Sequence, residues 1–306
     1  MKLLISTSSF GEYDDAPVKK LKNAGFEIEL NPHGRTLKKE ECVKLLNDKV
    51  GLIAGVEPLN RDVLQTAKHL KVISRCGAGM DNVDREAAKK LGIRVYNTPD
   101  APTQAVAELA LGLIFGLLRN ISKNDREIRK GIWNKEMGNL LSGKTIGIVG
   151  LGRIGRKLLE LLNPFKLKVI ACEPFPENKF VKQNNIRLMP LEELLHEADV
   201  VSLHIPYNNE TKNLIDMGKL SLMKKSAILI NASRGGIIVE SDLEKALLDG
   251  VIKGAALDVF DKEPYNGPLK NLENIILTSH IGSYARESRI QMEMEAVDNL
   301  IKGLMK

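Results

Sequence analysis

The chain has 306 residues, a formal net charge of +6, and 43% apolar against 27% charged residues, the balance of an ordinary globular protein. That length exceeds what one hydrophobic core usually serves, so two domains are expected. Aromatic residues at 4% and lysines scattered along helical faces argue against a nucleic-acid surface, and three cysteines without a Cys-x-x-Cys pair argue against a disulfide framework or a zinc site and fit a reducing cytosol.

The N-terminal Met1-Lys2-Leu3-Leu4-Ile5-Ser6 reads as a short strand, without the apolar region and cleavage site of a signal peptide. Strands follow at 3–5, 27–30, 51–54, 72–74 and 94–96. Helical patterns lie between them at 18–24, 38–46, 61–67 and 84–91. This alternation predicts a parallel sheet covered by helices. The breaker cluster Asn97-Thr98-Pro99-Asp100-Ala101-Pro102 precedes one long helix over 103–130. The apolar stretch 101–118 is interrupted by Gln104 and Glu108 and reads as a buried helix, not a membrane span. A second series supplies strands at 145–149, 168–171, 200–204, 227–231, 254–259 and 275–278, enough for a six-stranded doubly wound sheet, and a helix over 285–305 ends the chain. No internal repeat or low-complexity tract is visible.

Gly150-Leu151-Gly152-Arg153-Ile154-Gly155 follows the strand 145–149 directly and opens a helix over 156–162. In that context the Gly-x-Gly-x-x-Gly spacing has a physical meaning. Gly150 permits the tight turn, Gly152 lets the backbone approach a pyrophosphate, and Gly155 lets helix pack on strand. The free N–H groups at the helix start favour an anion. Glu173, at the end of the next strand, can accept hydrogen bonds from ribose hydroxyls and would repel a 2′-phosphate, so NAD is expected over NADP.

Three further segments each stand directly after a strand of the second series: Asn231-Ala232-Ser233-Arg234-Gly235-Gly236, Asp258-Val259-Phe260-Asp261-Lys262-Glu263-Pro264 and His280-Ile281-Gly282-Ser283. They supply an arginine, a carboxylate and a histidine, a set suited to hydride transfer at a carbon beside a carboxylate. Arg234 can clamp a carboxylate or carbonyl with its planar fork. His280 can take or donate the hydroxyl proton, and Glu263 can hold its other ring nitrogen.

With these motifs, and with Ser74-Arg75-Cys76-Gly77-Ala78-Gly79-Met80-Asp81 in the first half, the sequence resembles the D-isomer-specific 2-hydroxyacid dehydrogenases over essentially its whole length. The resemblance implies an α/β fold of two doubly wound parallel-sheet domains. A Rossmann NAD-binding domain, residues 99–283, would be inserted in a flavodoxin-like substrate domain, residues 1–98 and 284–306. It implies Arg234, Glu263 and His280 as the catalytic group. Backbone N–H groups of Cys76, Gly77, Ala78 and Gly79 would hold the substrate carboxylate, with Ala78 also near the nicotinamide and Arg75 available to the substrate. Gly150, Gly152, Arg153, Ile154, Gly155 and Glu173 would contact pyrophosphate and ribose. Ile205, Pro206, Ala232, Ser233 and Asp258 would line the nicotinamide half, completed by His280, Gly282 and Ser283.

Within the family the first half looks most like D-3-phosphoglycerate dehydrogenases, which makes D-3-phosphoglycerate the expected substrate and serine synthesis the expected role. One departure bears on this: the loop Ala54-Gly55-Val56-Glu57-Pro58 carries Glu57 where some members place a basic residue for the phosphate. Hydroxypyruvate, glyoxylate or D-lactate remain as alternatives, and an NAD(H)-sensing binding protein remains in another class. A cytoplasmic homodimer is expected, with residues 103–130 and Trp133 as contacts, and with no metal, nucleic acid or membrane as partner. Cys76 and Cys172 are expected to be packing residues, and His204 is open between a structural and a functional role.

Overall fold

The computed structural model describes residues 1–305. The chain divides into two compact units, one formed by Met1–Pro102 together with the chain from Ser283 onward, the other by Thr103–Gly282. The division thus falls after Pro102 and before Ser283, not at 98 and 283. The breaker segment stays with the first unit because Thr98 N–H donates to Gly77 O (3.1 Å) and Ser288 Oγ donates to Ala101 O (2.9 Å).

In the first unit, β1 (Lys2–Ile5), α1 (Ala16–Asn23), β2 (Glu27–Leu30), α2 (Lys39–Leu46), β3 (Gly51–Ala54), α3 (Arg61–Thr66), β4 (Val72–Arg75), α4 (Arg85–Lys90) and β5 (Arg94–Asn97) alternate. The sheet order is β2-β1-β3-β4-β5 and every pairing is parallel. Side chains of period two go to opposite faces. Leu4, Leu52 and Ile73 pack with Leu46, Val63 and Ala88 on one side. Leu3, Ile5, Ile53 and Val72 pack on the other with Met292, Val297 and Leu300 of the C-terminal helix. The side chains of Asn60 and Asp84 cap α3 and α4 by accepting from Val63 and Ala87 N–H.

The second unit contains α5 (Thr103–Leu118), α6 (Ile121–Arg129), β6 (Thr145–Val149), α7 (Arg153–Leu162), β7 (Lys168–Cys172), α8 (Asn178–Gln183), β8 (Arg187–Leu188), α9 (Leu191–Glu197), β9 (Val200–Leu203), α10 (Met217–Leu222), β10 (Ile228–Asn231), α11 (Glu240–Leu248), β11 (Gly254–Leu257) and β12 (Ile275–Leu277). The final helix of the first unit is then α12 (Arg286–Met305). The second sheet is parallel throughout in the order β12-β11-β10-β9-β6-β7-β8. Strand order reverses between β6 and β9, and such a switch point opens a ligand crevice beyond the carboxyl ends of the strands.

Three expectations need correction. The helix over 103–130 is two helices bent by 63°. Asn120 takes a left-handed φ of 53°, a conformation Asn tolerates better than most residues. Apolar α5 follows the core, whereas α6 has no buried residue to hold it in line. The sheet has seven strands, because β8 is a two-residue edge strand too short to show a period. Finally, α7 starts at Arg153, so Gly155 lies inside the helix. Among the described residues, no single helix is long and apolar enough to cross a membrane.

Candidate active site

Register places the nucleotide loop. Val149 at the end of β6 pairs with Cys172 of β7 and Leu203 of β9, so Gly150, Glu173 and His204 leave adjacent strands together. Gly150 has φ +98°, and a Cβ there would come within 2.6 Å of His204 O. A Cβ on Gly155 would come within 2.3 Å of Gly150 O, so only glycine lets the helix start this close to the turn. Above Gly152 the space is open. Glu173 accepts from Leu151 N–H (2.8 Å) and Phe175 N–H (3.0 Å), which orients a carboxylate beside the loop. An open glycine turn, a helix N-terminus and an adjacent carboxylate fit a dinucleotide. Ile205 and Pro206 follow β9, and Arg153 and Ile154 begin α7.

Cys172 borders this loop, and burial followed by the charge of Glu173 raises its thiol pKa. Cys76 is buried in the first unit, where burial pushes its thiol up to about 11. Neither is poised as a thiolate.

The loops bearing Arg234, Glu263 and His280 are likewise aligned by register, with Asn231 beside Leu257 and Leu257 beside Leu277. Asn231 is buried, accepts from Ser233 N–H (3.1 Å) and Oγ–H (2.7 Å), and donates to Arg234 O (2.9 Å). It thereby shapes the turn that presents Arg234, whose Nη1 donates to Ser233 O (2.7 Å). Gly235 is sterically required, since a Cβ there would lie 1.9 Å from Phe260 O on the neighbouring loop. On that loop Glu263 Oε1 accepts from Phe260 N–H (3.1 Å), and Oε2 lies 2.8 Å from His280 Nδ1. Burial raises the Glu263 pKa, but the hydrogen bond and charge of His280, the Phe260 N–H and the charge of Arg234 outweigh it and leave this carboxyl below its ordinary value. An anionic Glu263 favours the His280 tautomer with the proton on Nδ1, so Nε2 is the nitrogen able to exchange a proton.

His280 itself has a left-handed φ of 55°, a costly conformation for a non-glycine residue that the surroundings must impose. Asp258 imposes it. Fully buried, it accepts from Thr278 Oγ–H (2.6 Å), Ile281 N–H (2.8 Å) and Gly282 N–H (2.8 Å), while its backbone O accepts from His280 N–H (2.8 Å). Asp258 was expected at the nicotinamide wall, with a loop cap as the alternative; its anchoring of the histidine turn is such a cap, and it depends on strand pairing that no local pattern shows. Ala232 is buried beside Ser233.

In the first unit the expected donor loop is partly committed. Cys76 N–H donates to Ala54 O (2.8 Å) and Gly77 N–H to Thr98 Oγ1 (2.8 Å), so within this stretch the amides of Ala78 and Gly79 remain for an anion. Arg75 Nη1 donates to Cys76 O (2.7 Å) and lies where a Cβ on Gly77 would stand. Glu57, expected as a loop charge, is 1% exposed. Its carboxylate accepts from Ser6 Oγ–H and from Gly55 N–H, and Asn82 Nδ2 donates to the backbone O of both Gly55 and Glu57. Burial raises its pKa against the opposing effects of Ser6, Gly55 and Arg75.

Residues 111–282 match the D-isomer specific 2-hydroxyacid dehydrogenase, NAD binding domain. The chain is 37% identical over 301 residues to a glyoxylate reductase of Pyrococcus horikoshii, covering 95% of this chain and 90% of the relative. It is 38% identical over 282 residues to a D-3-phosphoglycerate dehydrogenase of Methanocaldococcus jannaschii, covering 90% of this chain and 53% of that protein, so it spans about half the length of that relative. The crystal structure of the TT0316 protein from Thermus thermophilus superposes with a TM-score of 0.92 at 37% identity, covering 100% of this chain and 97% of that one. The chain therefore belongs to the D-isomer-specific 2-hydroxyacid dehydrogenases and is an NAD-dependent oxidoreductase.

Proposed function

We propose that this enzyme interconverts a small unphosphorylated D-2-hydroxy acid and its 2-keto acid, on the scale of glyoxylate or hydroxypyruvate. The observation that carries this reading is Glu57. It places a buried carboxyl group, not a cation, at the end of β3. A phosphate dianion has no cationic partner on that loop. Relatives named glyoxylate reductase and hydroxypyruvate reductase agree with this choice. D-3-phosphoglycerate, the substrate first expected, would have to rely on Arg75.

When bound, NAD supplies the hydride acceptor or, reduced, the donor. Gly150, Gly152, Gly155, Arg153 and Ile154 hold the pyrophosphate end, Glu173 holds the ribose, and Ile205, Pro206, Ala232, Ser233, Asp258, Gly282 and Ser283 frame the nicotinamide. Arg234 grips the substrate by its carboxylate and carbonyl oxygens. In oxidation neutral His280 accepts the hydroxyl proton at Nε2, and Glu263 stabilises the imidazolium that results. In reduction the same proton returns to the carbonyl oxygen. The amides of Ala78 and Gly79 are the donors that the first unit offers to an anion.

The test follows NADH absorbance with glyoxylate, hydroxypyruvate and phosphohydroxypyruvate at matched concentrations. Faster turnover of the unphosphorylated acids supports the proposal; preference for phosphohydroxypyruvate returns the enzyme to phosphoglycerate oxidation.

The same reading includes a homodimer. Trp133, Met137 and Leu140 in the connector after α6 are 81%, 88% and 73% exposed, an apolar surface of the kind that subunit contacts cover. Three free cysteines fit a reducing cytoplasm.

A further inference from the structure

Glu240 has no part in the chemistry above. It is the first residue of α11, at the far end of the loop that carries Arg234. Its Oε1 accepts from Asp261 N–H at 2.7 Å, on the loop that carries Glu263. The preceding amide, Phe260 N–H, donates to Glu263 Oε1 at 3.1 Å. Two carboxylates therefore hang on consecutive amides of one turn, and the bond from Glu240 fixes the direction of the peptide next to the one that orients Glu263.

The loops bearing Arg234 and Glu263 are also pressed together. Besides the close approach at Gly235, a Cβ on Gly236 would sit 3.3 Å from Asp261 Oδ1. The Glu240 to Asp261 hydrogen bond is a side-chain tie across that contact. We propose that Glu240 is a positioning residue for the catalytic carboxylate, holding the 260–263 turn so that Glu263 reaches His280. The inference rests on the proposed role of the Glu263 and His280 pair. Burial raises the pKa of Glu240 against the opposing Asp261 N–H hydrogen bond, and the charges of Asp261 and Glu263 add to the rise. The charges of His280 and Arg234 act on Glu263, and those of Glu240 and Glu244 act on Tyr265.

The experiment compares Glu240→Ala and Glu240→Gln in the full-length protein with the parent. Glutamine keeps an oxygen acceptor for Asp261 N–H and alanine does not. The first readout needs no turnover: the hydrogen-bonded His280 Nδ1 proton in one-dimensional proton NMR, assigned by its loss in Glu263→Ala. We expect this downfield resonance in the parent and in Glu240→Gln, and its loss in Glu240→Ala while thermal unfolding remains cooperative. The second readout is kinetic: Glu240→Ala loses about tenfold in kcat with KM for NADH little changed, and Glu240→Gln recovers most of that loss. An unaltered resonance in Glu240→Ala, or its absence from the parent, overturns the proposal. So does a glutamine variant as impaired as the alanine one. Failure of every keto acid to turn over would instead count against the functional reading and leave the NMR comparison to judge the positioning role.

Discussion

In the nucleotide-binding unit, the loops after β6, β10 and β11 are shaped by backbone approaches that only glycine allows, at Gly150, Gly155 and Gly235. In the first unit, the loops after β1, β3, β4 and β5 are tied by side chains: Ser6 to Glu57, Asn82 to Gly55, Thr98 to Gly77. The first arrangement brings backbone amides and the side chains of Arg234, Glu263 and His280 to fixed places and tolerates little change. The second leaves the backbone course intact while its polar ties can be exchanged for others, as the proposed role in substrate choice requires. The chemistry of a fold and its specificity can thus be held by different physical means.

Substitutions should separate the two. The largest effect is expected for His280→Ala, which removes the proton carrier and should lower kcat by about 10³-fold with the fold intact, read by NADH oxidation and circular dichroism. A variant turning over at the parent rate would sink the mechanism. Gly155→Ala pushes a Cβ against Gly150 O and should cost about 1–3 kcal/mol of stability and weaken NADH binding; urea unfolding and NADH fluorescence titration measure both. Glu57→Ala leaves Ser6 and Gly55 without their acceptor. A loss of about 1–3 kcal/mol is expected, with NADH affinity unchanged because the nucleotide loop belongs to the other unit. Should NADH binding fall equally in both variants, the contrast between the units would collapse.

A pH dependence sharpens the comparison within the nucleotide unit. His204 Nε2 lies 2.9 Å from Ser202 Oγ and its Nδ1 is buried without a partner. Burial lowers its pKa from 6.5 to about 4. The unfolded chain then takes up this proton first as pH falls. The stabilising difference is complete above pH 6.5 and is lost progressively toward pH 4. About 2 kcal/mol should disappear between pH 7 and pH 5, and His204→Gln should remove that part of the slope in urea unfolding. The smallest effect on stability is expected from Trp133→Glu, which should shift the protein toward monomers in analytical ultracentrifugation; a parent that already sediments as a monomer would reject the dimer.

The β-α alternation, the Gly150 to Gly155 turn and the Arg234, Glu263 and His280 segments were legible because each is contiguous and tied to a local conformation. A strand has its period, a phosphate loop its glycines, and a ligand-facing loop its place after a strand. The break at Asn120 and the edge strand β8 were not, because the first depends on where α5 runs out of core and the second on a neighbour that supplies its hydrogen bonds.

The amino-acid order alone determined the class of fold and the cofactor. Tertiary structure decided which amides the buried carboxylates receive, Asp258 the turn of His280 and Glu57 that of Gly55, and which amide the half-buried Glu240 receives, that of Asp261. The reason is register, because two parallel sheets align residues far apart in sequence, and a carboxylate removed from water is stable only where that alignment supplies its donors.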